Sequence, residues 1–199
     1  MYRGSRPKIF PVIIIIIVVA LVIAAIVTIG RMVFSGNSSS NDAVDTASMQ
    51  QSLLNESSDR AVRWTVRGPI IADEKFRSYQ ITVSPSERTY TVYSGYLDTV
   101  LRTKSYGNNA DAYEQFIYAL DKTGVSSART VKDEDLRGVC ATNGLLYQFE
   151  TIASSTPDYS VWSSTCKNSP GTMTADSQKL QALFVNQITD FAPLFDDIY

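Results

Sequence analysis

The chain has 199 residues with 18 basic and 20 acidic side chains, two cysteines and no histidine. The missing histidine excludes Ser-His-Asp and Cys-His nucleophilic sites and His-ligated zinc. The slightly acidic balance is unlike that of a general nucleic-acid binder.

Residues 9–30 carry no charge and include the run Ile13-Ile14-Ile15-Ile16-Ile17-Val18-Val19. At about 1.5 Å of rise per residue such a helix reaches roughly 33 Å, enough for the roughly 30 Å hydrocarbon core of a bilayer. Arg3, Arg6 and Lys8 precede it, and only Arg31 follows closely. The positive-inside bias then predicts a single-pass signal anchor in the plasma membrane, with residues 1–8 cytoplasmic and the rest outside. A cleaved signal peptide has a shorter apolar core, about 7–15 residues, and a small-x-small site, which Val33-Phe34-Ser35 does not supply. The exported part, residues 32–199, holds 14 basic and 20 acidic side chains, a net of −6.

Residues 31–58 read as a Ser/Asn-rich tether. Within it, residues 45–55 could form a short helix, though too few apolar positions repeat at helical spacing for one that is stable alone. Residues 59–199 read as one extracytoplasmic domain. From Ala61, Val62, Trp64 and Val66 alternate with Arg63, Thr65 and Arg67, the pattern of a half-buried strand. Gly68-Pro69 ends it. Tyr79, Ile81 and Val83 mark a second strand, Ser84-Pro85-Ser86-Glu87 a turn, and residues 88–94 its partner with Tyr90 and Val92 inward. Residues 97–104 add a fourth strand.

Asn108 or Asn109 can cap a helix whose stripe is Ala112, Tyr113, Phe116, Ile117 and Leu120, stopped by Gly124. Residues 125–138 read as a charged connection. A hairpin follows, with strands at 145–152 and 159–164 turning through 154–158. Thr174 can cap a last helix with the stripe Leu180, Leu183, Phe184, Ile188 and Phe191, interrupted by Pro193, beyond which Leu194, Phe195 and Ile198 keep the spacing. Two amphipathic helices need an apolar surface and the alternating strands offer one. The expected fold is α+β, an antiparallel sheet of five or six strands with two helices on one face.

Cys140 and Cys166 are equidistant from Ala153 and would face each other across that hairpin. On the exported side a disulfide is the favoured state, and a reactive cysteine lacks both CxxC spacing and a histidine to activate it. No Walker loop occurs and no GxGxxG follows a strand, so no cofactor is expected. Asp133-Glu134-Asp135 lacks the alternating spacing of a calcium loop, so no metal and no catalytic residue are assigned. Residues 60–104 hold eight basic side chains against four acidic ones, with several tyrosines. Arg63, Arg67, Arg77, Tyr93 and Arg102 are therefore the candidate binding patch.

These features predict a non-catalytic interaction module whose partners are the bilayer, through residues 9–30, and an envelope protein or anionic wall polymer outside. An apolar N-terminal helix followed by an α+β domain with a late disulfide loop is also similar in plan to type IV pilins, which implies a structural subunit. The chain departs from that family at Gly4-Ser5, where a prepilin junction has Gly-Phe, and in having no glutamate near Ile9. A carboxylate-dependent envelope enzyme is the third class, and would need two carboxylates converging in one pocket.

Overall fold

The computed structural model describes residues 46–131, 135–140 and 144–192. The alternating segments form strands β1 (Arg60–Arg67), β2 (Arg77–Val83), β3 (Glu87–Ser94), β4 (Thr99–Gly107), β5 (Leu146–Ala153) and β6 (Thr156–Ser164). Together they make one antiparallel sheet in the order β4-β3-β2-β1-β5-β6. Three helices accompany it rather than two: α1 (Thr46–Leu53), α2 (Ala110–Asp121) and α3 (Ser177–Val185). The span expected at 9–30, the N-terminus before it and residues 31–45 lie outside the described residues. Among the described residues, no helix is long and apolar enough to cross a membrane.

Register explains why one face is covered. Trp64 stands opposite Ile81 on β2 and Phe149 on β5, and Ile81 stands opposite Tyr90 on β3. Directly opposed residues share a face, so four strands present these side chains to one side. The helices bury them there with Leu53 from α1, Tyr113, Phe116, Ile117 and Leu120 from α2, and Leu180 and Phe184 from α3. The other face carries Thr65, Gln80, Thr82, Thr89, Thr91 and Gln148 and is polar.

Several boundaries differ from the sequence reading, each for a local reason. The hairpin between β5 and β6 turns in two residues, Ser154 and Ser155, with φ of 48° and 74°. Positive φ at both positions is the twist-matched form of a two-residue turn, so β6 begins at Thr156. The last helix is capped by Asp176, whose Oδ1 accepts from the N–H of Gln178 and Lys179 at 2.9 and 3.3 Å. Thr174 instead donates its hydroxyl to the Ser127 carbonyl at 2.8 Å. The helix stops at Val185, yet Ile188 is 3% exposed and Phe191 meets Tyr79 and Tyr90 edge-on at 5.6 and 5.4 Å. Pro193 and the residues after it are outside the described part.

The stretch read as the end of the tether contains α1, so the compact unit reaches back beyond the expected boundary at residue 59. Helix propensity does not account for α1; tertiary contacts do. Leu53 is 1% exposed, and Gln50 donates its side-chain amide to both Asp121 oxygens at 3.0 and 2.9 Å. At its C-terminal end, a β-bulge in β6 between the partners of Thr151 and Ile152 turns out Asp158 as the extra residue. Asp158 accepts from Arg60 Nη1 at 2.7 Å, Ser52 Oγ at 2.7 Å and Thr151 Oγ1 at 2.6 Å. Arg60 also donates to the Ser52 carbonyl at 2.8 Å. One ion pair thus ties α1, β1, β5 and β6.

Burial raises the Asp158 pKa, but the three hydrogen bonds and the Arg60 charge outweigh it, and the carboxyl sits below the ordinary aspartate range. A depressed folded pKa contributes stability above the unfolded value, about 3.9, that is lost as pH falls through the lower folded value. Asp158→Ala leaves an Arg60 side chain that is 7% exposed without its counter-charge. The expected cost is about 2 kcal/mol in denaturant unfolding at pH 7, below the range for fully buried pairs because Asp158 keeps 35% exposure. The difference from wild type should shrink below pH 3.9; a constant difference down to pH 2 would refute the ionic account.

Candidate functional site

Seven large apolar side chains are exposed among the described residues. Six of them, Ile70, Ile71, Tyr96, Leu97, Val100 and Leu101, lie at one end of the sheet, where β1 and β3 finish and β2 and β4 begin; Tyr118 is the exception. Leu97 is 92% exposed. This end is opposite the one at which the chain enters β1 at Arg60.

Local chemistry builds the cluster. Gly68-Pro69 breaks the ladder after Arg67, and the chain runs through Ile70 and Ile71 into a short 3-10 turn at Asp73–Lys75. Asp73 Oδ1 accepts from the Tyr96 N–H at 2.8 Å. Gly95, at φ 72°, leaves room for that carboxylate, which would lie 3.0 Å from any Cβ placed there. Tyr96 then stacks on buried Phe76 with centroids 4.3 Å apart, and its hydroxyl donates to the Ile71 carbonyl at 2.7 Å while accepting from the Ile71 N–H at 3.0 Å. The Arg67 guanidinium lies 5.5 Å from the Phe76 ring centroid and 3.7 Å from Asp98.

Beside this aromatic pair is a cavity of about 240 Å³. Arg67, Ile70, Phe76 and Tyr96 form one wall, residues 136–139 the facing one, and Leu146 and Gln148 of β5 its floor. Arg137 grips Asp135 with two N–H donors at 2.9 and 2.6 Å, which holds the Asp135 carboxyl down to about 2. The lining contains two arginines and no carboxylate. The disulfide Cys140–Cys166, with Cα atoms 5.4 Å apart, fastens the end of the 136–139 wall to the chain leaving β6. Gly144 is required beside it, because a Cβ there would lie 2.6 Å from Cys166 Sγ.

Three of the five residues of the expected patch, Arg63, Arg67 and Tyr93, share the polar face of the sheet, whereas Arg77 and Arg102 take the other face. Arg67 lines the cavity. Arg77 is nearby but donates to the Glu74 and Phe76 carbonyls and to Ser94 Oγ, at 2.8 to 2.9 Å. Tyr93 lies on the polar face, where burial raises its pKa and its hydroxyl donates to Gln80 at 2.9 Å. Arg63 lies on that face too, paired to Glu150 at 2.7 Å. Arg102 is on the opposite side, level with Val92 on the helix-covered face. Counting cations along a segment missed this, since strand parity separates Arg63 from Arg102. The apolar cluster had a signal of its own: Ile70-Ile71 and Tyr96-Leu97 sit in connections, outside any strand or helix period.

A wider, shallower groove of about 430 Å³ lies at the other end, along Asp59, Arg60, Arg63 and Thr82. Its charges are engaged: Arg60 with Asp158, Arg63 with Glu150, and Asp59 with Ser154 Oγ at 2.7 Å. Among the described residues no group of three or more His, Cys, Asp or Glu could hold a metal ion. Asp133 and Glu134 are outside the described residues. No protein-family model matches the chain, and no curated protein matches its sequence.

The disulfide should carry both stability and the shape of the cavity. Cys140→Ser with Cys166→Ser is expected to lower stability by about 3 kcal/mol in the chain-entropy account. Amide exchange should accelerate across residues 135–140. Identical unfolding curves with and without reductant would show that the crosslink constrains nothing.

Proposed function

We propose that this chain is a non-catalytic binding module held outside the plasma membrane by the 9–30 span, and that the apolar sheet end with its cavity is the contact surface. The gathering of six exposed apolar side chains at one end of the sheet, two of which, Ile70 and Tyr96, line a cavity with Arg67 and Arg137, carries this reading. Contiguous apolar patches on soluble surfaces mark interaction sites, whereas singly scattered ones need no explanation. The lining is mostly apolar with Gln148 and two guanidinium groups, Arg67 only 3.7 Å from Asp98 and Arg137 held by Asp135, so a ligand that joins an apolar body to a negative charge would compete with those carboxylates for the two cations. A carboxylate-bearing segment of an envelope protein and an anionic wall polymer both meet that description. The placement outside the cell is supported by the uncharged run at 9–30, by Arg3, Arg6 and Lys8 before it, and by the Cys140–Cys166 disulfide.

Two measurements test the two halves of this reading. In amide correlation spectra of the full-length chain in detergent, benzoate and hexanoate should shift Arg67, Tyr96 and Gln148, and Arg67→Gln should weaken the effect severalfold. The matched amines should leave those residues unmoved; equal shifts from amines, or none from either class, would overturn the anionic site. Separately, protease added to intact cells should remove the 46–192 region and spare an N-terminal tag. A protected domain would reverse the orientation.

A further inference from the structure

We propose that β4 is a strand-addition edge and that its occupant is an extended acidic segment of a partner protein, with carboxylates at every second position. This rests on the reading of the sheet end as a contact surface, and it narrows the partner to a polypeptide.

The two edges of the sheet are built differently. β6 carries Pro157, which has no N–H to offer, and the bulge at Asp158. Its far half is occupied: Met173 donates its N–H to the Trp162 carbonyl at 2.8 Å, and the Trp162 N–H reaches Thr172 Oγ1 at 3.0 Å. β4 has no proline, and among the described residues no segment pairs with its outer side. Seven of its nine residues are exposed, all but Arg102 and Tyr106. A strand in this position presents a row of N–H and C=O groups at ladder spacing, which a polypeptide backbone matches and a sugar or phosphate polymer does not.

The side chains specify the occupant. β4 contains Arg102 and Lys104 and no acid. Both cations point to one face, since Arg102 stands opposite Val92 and Lys104 opposite Tyr90. Val100 stands opposite Tyr93 and points to the other face, with Leu101 as the extra residue of a bulge between them. An added strand therefore meets cations at alternate positions on one face and hydroxyls and Val100 on the other. Period-two alternation of carboxylates with apolar or small residues satisfies both. A second copy of this chain is disfavoured in the registers that pair most of Arg102–Gly107 with opposed cations. Two-fold antiparallel pairing centred on Thr103 sets Arg102 against Lys104 of the other copy, and pairing centred on Lys104 opposes the two lysines. The regular ladder from Arg102 to Gly107 continues directly into the apolar cluster at Val100, Leu101 and Leu97, so one bound segment would contact both.

Hydrogen-exchange mass spectrometry on the full-length chain in detergent tests this with two short capped peptides, one alternating Glu with Val and the other Lys with Val. At about ten times its Kd the Glu peptide should slow exchange across residues 102–107 about tenfold. The Lys peptide should not. Lys104→Glu, at an exposed position, should abolish most of that protection and confer it on the Lys peptide. Equal protection by both peptides, protection confined to β6, or none from either would overturn the assignment. Protection that appears without peptide and grows with protein concentration would assign the edge to a second copy and overturn it as well. Failure here with benzoate still shifting Arg67 would remove strand addition alone; failure of both would remove the sheet end as a contact surface.

Discussion

Phe184 covers the centre of the sheet, stacking on Trp64 at 5.8 Å and meeting Phe116 and Phe149 edge-on at 5.1 and 6.2 Å. One side chain from α3 thereby joins the middle strand, the flanking strand and α2. Each large aromatic buried in this way contributes several kcal/mol, and aromatic pairs add about 0.5–1.5 kcal/mol beyond area. Because the central strands direct Trp64, Ile81, Tyr90 and Phe149 to a single side, while Tyr93 and Trp162 take the other, the helices gather over the first of these. The polar face, the β4 edge and both ends of the sheet are left as the places where the chain can meet something else.

The two ends have divided the work. At the Arg60 end the charges are neutralised inside the fold, through Asp158, Ser52 and Thr151, and the result is mechanical: α1 is fixed to three strands. At the Arg67 end the polar bonds are largely to backbone, as in Tyr96 to Ile71 and Arg77 to Phe76. Those bonds hold connections rigid while leaving apolar side chains outside. Rigidity matters for recognition, because ordering a floppy loop at the moment of contact would subtract from affinity.

Strands β1 to β3 and α2 were legible because each shows an unbroken period, two in Val62-Trp64-Val66 and helical in Tyr113-Phe116-Ile117-Leu120. α1 was legible only as a possible short helix, since only Met49 and Leu53 mark its buried side and its stability comes from residues about a hundred positions away. The cap of α3 slipped from Thr174 to Asp176 because Thr174 has a tertiary partner, Ser127, that sequence spacing does not reveal. The disulfide was readable from there being only two cysteines in the expected compartment, not from symmetry about Ala153, because the hairpin turns at Ser154-Ser155. Its role in the cavity was not, because that depends on residues 136–139 folding back over β5. The expected patch shows the same division: the cations were correctly counted, but which face each one takes depends on register across four strands.

The disulfide and the cavity are also linked to the question of compartment. Residues 136–139 form a wall that no strand ladder supports, and the Cys140–Cys166 bond is the covalent tie at its end. In a reducing compartment that tie would be lost, and with it the constraint that keeps Leu136 and Arg137 facing Phe76 and Tyr96. A site of this construction is complete only where thiols are oxidised.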